Sequence, residues 1–349
     1  MSSRFGVLLS AAPDFGKLAL GELARALPQA AATLLGPGLW GLSDARFAEL
    51  AARWLVEPPV FVRHIAPVDF SLPRSGEIGD LDALARQSAE HVAAHPGSGS
   101  FSVQTRALER SGAYTPFELS SAIAARITAE TGLALDVRAP EQVLSLLLHG
   151  GQAYAGWSEA RANLSSWAGG VHRFAREPEQ LSRAEFKLLE ALQTFEIELA
   201  PEGRALDLGA APGGWTRVLA ARGQRVLAVD PARLHPSLLG AERVQHLRIT
   251  AEEFLRGRRG PFDVILDDIR KDARDSALLM QECAALLAPN GFALLTLKLR
   301  HERRAEQLAA ALGVLRSSFG VCRARHLFHN RSEVTVVLRR TAASAGSNR

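Results

Sequence analysis

Short apolar runs alternate with amphipathic stretches through the second half of the chain. Three of these runs end in acidic residues, at Asp207, at Asp230 and at the pair Asp267-Asp268. Apolar runs of this length are typical of strands buried in a parallel sheet, and the stretches between them have the spacing of helices. The pattern predicts an α/β domain from residue 161 to residue 340, with strands and helices in alternation.

The end of this domain departs from the alternation. A strand over 292–298 is followed by a helix and then by two apolar runs, 322–328 and 333–338, which only four residues separate. A connection that short requires an antiparallel pair of strands. We therefore expect a mostly parallel sheet of seven strands whose last strand runs antiparallel.

The first half of the chain shows smaller modules. Residues 1–75 predict a small α+β module, and the Pro, Ser and Gly residues of 67–79 are typical of a linker. Residues 80–160 predict a second α+β module, with helices at 80–94 and from Thr115 or Pro116 to 131. The small polar residues of 341–349 predict a disordered tail.

Composition allows a large core and sets mild limits on the partner. The 349 residues are 47% hydrophobic and carry a net charge of +4, which is compatible with nucleic acid. Cys283 and Cys322 lie too far apart for a zinc motif or a disulfide framework. His326 and His329 lack neighbouring ligands, so we expect them at the surface or on RNA, and we expect no metal. Without a membrane-spanning run or a signal peptide, we expect a cytoplasmic protein with no membrane partner. We also expect a monomer.

A glycine-rich turn follows the first strand of the α/β domain. The segment reads Asp207-Leu-Gly-Ala-Ala-Pro-Gly-Gly-Trp215, which matches neither the dinucleotide nor the triphosphate motif. Glycines let a backbone approach a ligand that a Cβ would exclude. Asp230 lies 23 residues after Asp207, about where an acidic residue accepts hydrogen bonds from a ribose. The alternative is a structural turn of an α/β protein.

The whole segment resembles the S-adenosylmethionine loop of the FtsJ-like RNA ribose methyltransferases. The resemblance implies a Rossmann-like class I methyltransferase domain with S-adenosylmethionine as cofactor. Ala211 stands where that family often has Cys, and Glu252 is our choice for the acidic residue facing the adenine. Ser182, with Glu185 three residues later, also predicts a capping box. The cofactor-binding candidates are Ser182, Asp207, Gly209, Ala211, Pro212, Gly213, Gly214, Trp215, Asp230, Glu252 and Asp268.

Charged residues of the α/β domain are expected to meet at one edge of its sheet. Asp268 and Lys298 end parallel strands, and Glu333 begins the antiparallel one, so all three lie at the edge where ligands bind. Lys187, on the helix entering the sheet, can reach the same edge. Taken singly, each could be an ion pair between strand ends or a loop cap. With their flanking segments, the four resemble the catalytic Lys-Asp-Lys-Glu tetrad of the FtsJ-like family.

That resemblance assigns roles to the four residues. Lys298 would be the general base that takes the proton of a ribose 2′-hydroxyl, and Asp268 would position its amine. Lys187 and Glu333 would hold the ribose and tune the site. We favour Asp268 over Asp267 because the second aspartate of Ile265-Leu-Asp-Asp-Ile269 aligns with the family's.

The segments Phe101-Ser-Val-Gln-Thr-Arg106 and Gly151-Gln-Ala-Tyr-Ala-Gly-Trp-Ser158 resemble a THUMP domain, an RNA-binding module. The alternative is an anonymous α+β connector. The three-part layout resembles the bacterial ribosomal RNA large-subunit methyltransferase M family. It implies 2′-O-methylation of a cytidine in large-subunit ribosomal RNA, with that RNA or its precursor particle as partner.

Two other functions remain open at this point. A THUMP-containing base methyltransferase would need a [DN]-P-P-[YF] motif after the fourth strand, where this chain reads Asp267-Asp-Ile-Arg-Lys271. A carbon-5 pyrimidine enzyme would need a cysteine nucleophile beside the cofactor. A non-catalytic RNA-binding or ribosome assembly factor could keep the fold, and the intact tetrad argues against it.

Overall fold

The computed structural model describes residues 4–109, 112–175, 177, 179–257 and 260–340. The predicted disordered tail, 341–349, lies outside these residues. The chain forms two compact units, which divide between His172 and Arg173. Within the described ranges, no helix is both long enough and apolar enough to cross a lipid bilayer.

The first unit contains two sheets. The first sheet is antiparallel, has the order β2-β3-β1-β4 and is accompanied by two helices. Its elements are β1 (Val7–Ala11), α1 (Gly16–Ala26), β2 (Ala31–Gly36), β3 (Leu39–Ser43), α2 (Phe47–Val56) and β4 (Val62–Pro67).

The second sheet of this unit has the order β5-β9-β8-β6-β7, and β6 runs parallel to both of its neighbours. Its elements are β5 (Phe70–Pro73), α3 (Asp80–Ala94), β6 (Ser100–Ala107), α4 (Pro116–Thr131), β7 (Ala134–Leu135), β8 (Gln142–His149) and β9 (Gln152–Glu159). The predicted bounds of α3 and α4 are confirmed, and Thr115 and Glu118 form a complete capping box. The linker expected over 67–79 is wrong in part, because β5 pairs with β9 as an edge strand.

The second unit is an α/β domain around one sheet of seven strands. The strands are β10 (Arg204–Leu208), β11 (Arg225–Val229), β12 (Val244–Leu247), β13 (Phe262–Asp267), β14 (Leu287–Lys298), β15 (Phe319–Arg325) and β16 (Glu333–Arg340). The helices are α5 (Ala184–Thr194), α6 (Gly214–Ala221), α7 (Ala251–Arg256), α8 (Ala273–Cys283) and α9 (Arg304–Arg316).

The strand order in this sheet is β12-β11-β10-β13-β14-β16-β15. The strands from β12 to β14 run parallel, and β16 runs antiparallel between β14 and β15. The predicted fold class, a mostly parallel seven-stranded sheet with an antiparallel last strand, is confirmed. Because β16 is reversed, its first residue lies at the edge where the parallel strands end, and Glu333 pairs with Lys298.

One strand of this sheet differs from the prediction. Pro289-Asn290-Gly291 reads as the end of a helix, yet α8 ends at Cys283 and β14 already begins at Leu287. The proline-glycine segment is an irregularity within the strand, since the pairing with β13 shifts register there. A Cβ on Gly291 would lie 2.8 Å from the carbonyl oxygen of Asp263, which explains the glycine.

Candidate active site

The glycine-rich loop joins β10 to α6 at the carboxyl edge of the sheet. Gly209 and Gly213 have φ angles of +73° and +113°, which favour glycine. A Cβ on Gly209 would lie 2.6 Å from Ile269 Cγ1, and one on Gly213 would collide with Leu238. These glycines therefore let the loop pack closely on neighbouring protein. From the sequence we expected these glycines to leave room for a ligand, whereas a Cβ at either position would instead meet protein atoms.

Two predicted cofactor residues have side chains that face the protein interior. The Asp207 carboxylate is buried beneath the loop and accepts a hydrogen bond from Thr216 Oγ1 at 2.6 Å. The Trp215 ring lies in the core, and its Nε1 donates to the carbonyl oxygen of Ala184 at 2.7 Å. Only the backbone of these two residues is available to a ligand on the open side of the loop.

Burial raises the pKa of Asp207 from 3.8 to about 7, although the hydrogen bond from Thr216 opposes the shift. Between these two values the unfolded chain ionises and the folded chain does not, so stability falls as pH rises. We expect Asp207→Asn to be close to neutral at pH 4 and to raise the free energy of unfolding by up to about 4 kcal/mol at pH 8. Urea unfolding at both pH values measures this. An equal effect at both would contradict it, and Asp275→Asn, at an exposed position, is the control.

Asp230 directly follows β11 and holds the middle of the loop. Its Oδ2 accepts a hydrogen bond from the Ala211 N–H at 3.1 Å, and its Oδ1 accepts one from the Ala232 N–H at 2.7 Å. Each carboxylate oxygen has a further lone pair, so hydroxyl groups of a ligand can still donate to it. This arrangement fits the predicted contact between Asp230 and a ribose. Pro212, the next loop residue, follows a cis peptide bond.

Ser182 lies beside the start of α6. The predicted capping box is wrong in its serine half, because α5 begins at Ala184 with no side-chain cap, although Glu185 Oε1 accepts from the Ser182 N–H at 3.3 Å. Ser182 Oγ is buried and has no hydrogen-bond partner among the described residues. A Cβ on Gly214 would collide with this hydroxyl. A buried polar atom without a partner at this loop fits a polar group of a bound cofactor.

Glu252 projects from α7 at the rim of the same edge. Its carboxylate forms an ion pair with Lys271 and is about half exposed. The hydrogen bond from Lys271 lowers the pKa of Glu252, so the side chain is an anion that is already paired. A cofactor amine would compete with Lys271 for it.

The four predicted catalytic side chains meet at this edge. Lys187 Nζ lies 2.6 Å from Glu333 Oε1 and 3.6 Å from Asp268 Oδ2, and Lys298 Nζ lies 2.5 Å from Asp268 Oδ1. The side chains are between 10% and 22% exposed, so they are largely withdrawn from water but open to a ligand. Two cations and two carboxylates thus form one chain of contacts, from Glu333 to Lys298.

The lysines keep both carboxylates ionised. Burial alone would raise the pKa of Asp268, but the ammonium groups of Lys298 and Lys187 outweigh it and hold this pKa below its usual range. In the same way, Lys187 outweighs burial and lowers the pKa of Glu333. Both carboxylates therefore accept hydrogen bonds from the lysines throughout the neutral range.

Asp267 is separate from this cluster. It is buried, and its Oδ1 accepts a hydrogen bond from the Ile269 N–H at 2.8 Å. Burial raises the pKa of Asp267 to about 7. The structure thus brings Asp268, and not Asp267, to the two lysines. Among the described residues, no three His, Cys, Asp or Glu side chains are grouped as metal ligands would be.

Thr296 is a site residue that sequence reasoning missed. Its Oγ1 donates to Asp268 Oδ1 at 2.5 Å and accepts a hydrogen bond from Lys298 Nζ. Thr296 lies two residues before Lys298 on β14, so both side chains are on the same face of the strand. The spacing of two residues between Thr296 and Lys298 was the sequence signal that could have identified Thr296 as a site residue.

Of the two histidines near the last hairpin, which we expected at the surface or on RNA, His326 is not at the surface and His329 is partly exposed. His326 is buried, and its Nε2 lies 3.0 Å from the carbonyl oxygen of Arg331. His329 Nδ1 lies 2.8 Å from Glu190 Oε2, and that carboxylate also accepts hydrogen bonds from two backbone N–H groups. Both histidines support the turn that precedes Glu333.

Comparisons with known proteins show the family to which the chain belongs. The FtsJ-like methyltransferase family matches residues 180–319. A ribosomal RNA large subunit methyltransferase M from Azotobacter vinelandii is 30% identical over 344 residues, covering 95% of this chain and 93% of the relative. The chain belongs to the ribosomal RNA large subunit methyltransferase M family. A second member, from Pseudomonas paraeruginosa, is 30% identical over 84% of this chain and 82% of its own length.

As a member of the methyltransferase M family, the chain is an S-adenosylmethionine-dependent methyltransferase. Among solved structures, TrmN from Thermus thermophilus is 18% identical, covers 96% of this chain and 99% of its own, and has a TM-score of 0.40.

Proposed function

We propose that this methyltransferase methylates the ribose 2′-hydroxyl of a cytidine in large-subunit ribosomal RNA. The observation that carries the proposal is the chain of ion pairs joining Glu333, Lys187, Asp268 and Lys298 beside the glycine-rich loop. A ribose hydroxyl is a weak nucleophile, so methyl transfer to it needs a base close to the hydroxyl proton. The family's relatives are named for ribosomal RNA, which supports that substrate.

S-adenosylmethionine supplies, when bound, a methyl group on a positively charged sulfur. Lys298 Nζ, in its neutral form, would take the proton that the 2′-hydroxyl loses when the methyl group passes from the sulfur to the hydroxyl oxygen. Asp268 and Thr296 fix the position of Nζ through hydrogen bonds. Lys187 and Glu333, at the other end of the cluster, hold the ribose. Positioning of the reacting groups and proton removal both lower the barrier.

The cofactor would lie along the glycine-rich loop. Ser182 Oγ and the backbone of Gly209 to Gly214 would bind it on one side, and Asp230 would accept hydrogen bonds from its ribose. Glu252 is the proposed contact of the adenine, in exchange for Lys271.

RNA recognition is proposed for residues 80–160, the THUMP-like segment of the first unit. Every proposed catalytic and cofactor residue comes from one chain, so we propose a monomer. Its substrate would be the ribosomal RNA, free or in a precursor particle, and the enzyme would act in the cytoplasm, where ribosomes are assembled.

The decisive experiment maps methylation directly. Ribosomal RNA from a strain lacking the gene is incubated with the purified protein and S-adenosylmethionine, digested to nucleosides and analysed by mass spectrometry. We expect one 2′-O-methylated cytidine per large-subunit RNA, and none with Lys298→Ala. A methylated base would favour a base methyltransferase, and no new methyl group on free RNA or on precursor particles would favour a non-catalytic factor.

Thr296→Val tests the positioning of the proposed base. Valine keeps the size of the side chain but cannot bridge Asp268 and Lys298, so the amine is free to turn away from the ribose. We expect kcat to fall about 10–100-fold while the affinity for S-adenosylmethionine stays within a few-fold, because hydrogen bonds to charged groups contribute about 1.5–3 kcal/mol. Thr296→Ser restores the hydroxyl and should restore most of the rate. A serine variant as slow as the valine variant would contradict this role.

A further inference from the structure

A small cavity lies inside the first unit, far along the chain from the proposed catalytic residues. It is lined by residues of β1, β4, β6 and β8 and by the turn at 168–169, and its volume is about 30 Å³. That is room for about two water molecules or one small ion.

Three polar atoms of the residues that line this cavity are unsatisfied. His64 Nε2, Ser145 Oγ and Gln104 Oε1 are buried and have no hydrogen-bond partner among the described residues. His64 and Ser145 are only 5% and 7% exposed. Buried polar atoms without partners are rare in folded proteins, and several around one cavity indicate a bound group.

The only charged residue among the lining residues that the structure describes is Arg106. Its guanidinium forms no hydrogen bond or ion pair with any described residue, and burial lowers its pKa. The backbone of Gly169 lies against it, since a Cβ there would be 2.9 Å from Arg106 Nη1. Arginine keeps its charge in proteins, so the half-buried guanidinium places a positive charge at the cavity that no described carboxylate pairs with.

We propose that this cavity is an anion-binding site in which the Arg106 guanidinium, with the His64 ring N–H and the Ser145 hydroxyl, holds one compact anion. Burial and the neighbouring Arg106 lower the pKa of His64 to about 3, so His64 is neutral and donates a hydrogen bond without adding charge. The single positive charge of Arg106 therefore matches the charge of one monovalent anion. Gln104 Oε1 is an acceptor and would face the guanidinium or a water.

The anion can come from two sources, a free ion in solution or a phosphate oxygen of bound RNA. The second source rests on the proposed function, whereas the site itself does not. The experiments below separate the two.

Crystals of the full chain grown in sodium bromide give a direct answer. We expect an anomalous bromide peak in the cavity of the wild type, its loss in Arg106→Gln, and its retention in Arg86→Gln, a control at an exposed arginine of α3. A wild-type cavity that is empty or filled by two waters would overturn the proposal.

Thermal unfolding tests the same site in solution. Replacing fluoride by bromide at constant ionic strength should raise the wild-type Tm relative to Arg106→Gln by about 2–4 °C, the shift that a roughly fivefold change in the folding equilibrium gives. Ser145→Val is a second variant that fills the cavity and leaves Arg106 in place. It should also lose the bromide response, and a response unchanged in both variants would refute the site.

RNA binding identifies the source of the anion. If the anion is an RNA phosphate, Arg106→Gln lowers RNA affinity more than Arg86→Gln does and reduces the salt slope by about one. If RNA affinity is unaffected while the bromide peak is lost, the anion is a free ion. Because the bromide experiments need neither RNA nor methyl transfer, their outcome is independent of the proposed function.

Discussion

Lys298→Ala is expected to reduce the rate of methyl transfer by about 10²–10⁴-fold or more, while S-adenosylmethionine affinity changes no more than a few-fold. That range is the usual contribution of a general base. The cofactor affinity should persist because the loop and Asp230 form without Lys298. Single-turnover rates with saturating RNA measure the chemical step, and calorimetry measures cofactor binding. An equal loss of both quantities would remove the base role from Lys298.

Lys298→Arg separates proton removal from charge. An arginine can keep the ion pair with Asp268, but its guanidinium does not lose a proton in proteins and cannot act as a base. We therefore expect Lys298→Arg to be almost as slow as Lys298→Ala. If the arginine variant were nearly as fast as the wild type, Lys298 would serve as a fixed positive charge. Lys17→Ala and Lys17→Arg, at an exposed lysine of α1 in the first unit, are the matched controls.

The convergence of the four charged residues could be predicted because topology determines it. In a parallel sheet, strands end at one edge, and the reversed β16 brings Glu333 to that edge beside Lys298. Alternation of apolar runs was enough to predict this arrangement, since each run is a buried strand of the core. The position of Lys187 could be predicted as well, because the helix that carries it enters the sheet at the same edge.

Side-chain direction could not be predicted in the same way. Trp215 and Asp207 belong to the loop segment by sequence, but their side chains pack beneath it, because the core under α6 is completed by the indole ring. Thr296 was missed because a threonine in an apolar strand reads as a strand residue. Its role depends on partners that are 28 residues away, at Asp268, and two away, at Lys298.

Two strands of the first unit, β2 and β9, are not among those that the sequence pattern predicts, because their sequences are unusual for strands. β2 has no buried residue and begins with two exposed alanines, and β9 contains Gly156, where a Cβ would collide with the carbonyl oxygen of Pro67. Glycine and exposed alanines weaken a strand pattern. Only the neighbouring strands, which pair along their length, show that these segments are part of a sheet.

The second large effect is expected for Gly213→Val, which should reduce S-adenosylmethionine affinity by at least about 100-fold. Gly213 has a φ of +113° at the start of α6, where a β-branched residue is strained by about 1–3 kcal/mol. The new Cβ would also collide with Leu238, which packs beneath the loop. The Leu238 side chain can turn away from the new Cβ, but the strain at φ can be relieved only by the backbone. We therefore expect the loop to move from the position proposed for cofactor binding.

This mechanism differs from simple filling of the cofactor site, and a double variant distinguishes the two. Gly213→Ala makes the same Cβ contact with Leu238 and should also lose affinity. If the collision with Leu238 displaces the loop, adding Leu238→Ala to Gly213→Ala should recover part of that loss. If the side chain at 213 instead occupies the cofactor's space, Leu238→Ala cannot help. Gly313→Val, at an open position in α9, controls for valine itself. Because strain at φ remains in the double variant, full recovery would show that the collision alone excludes the cofactor.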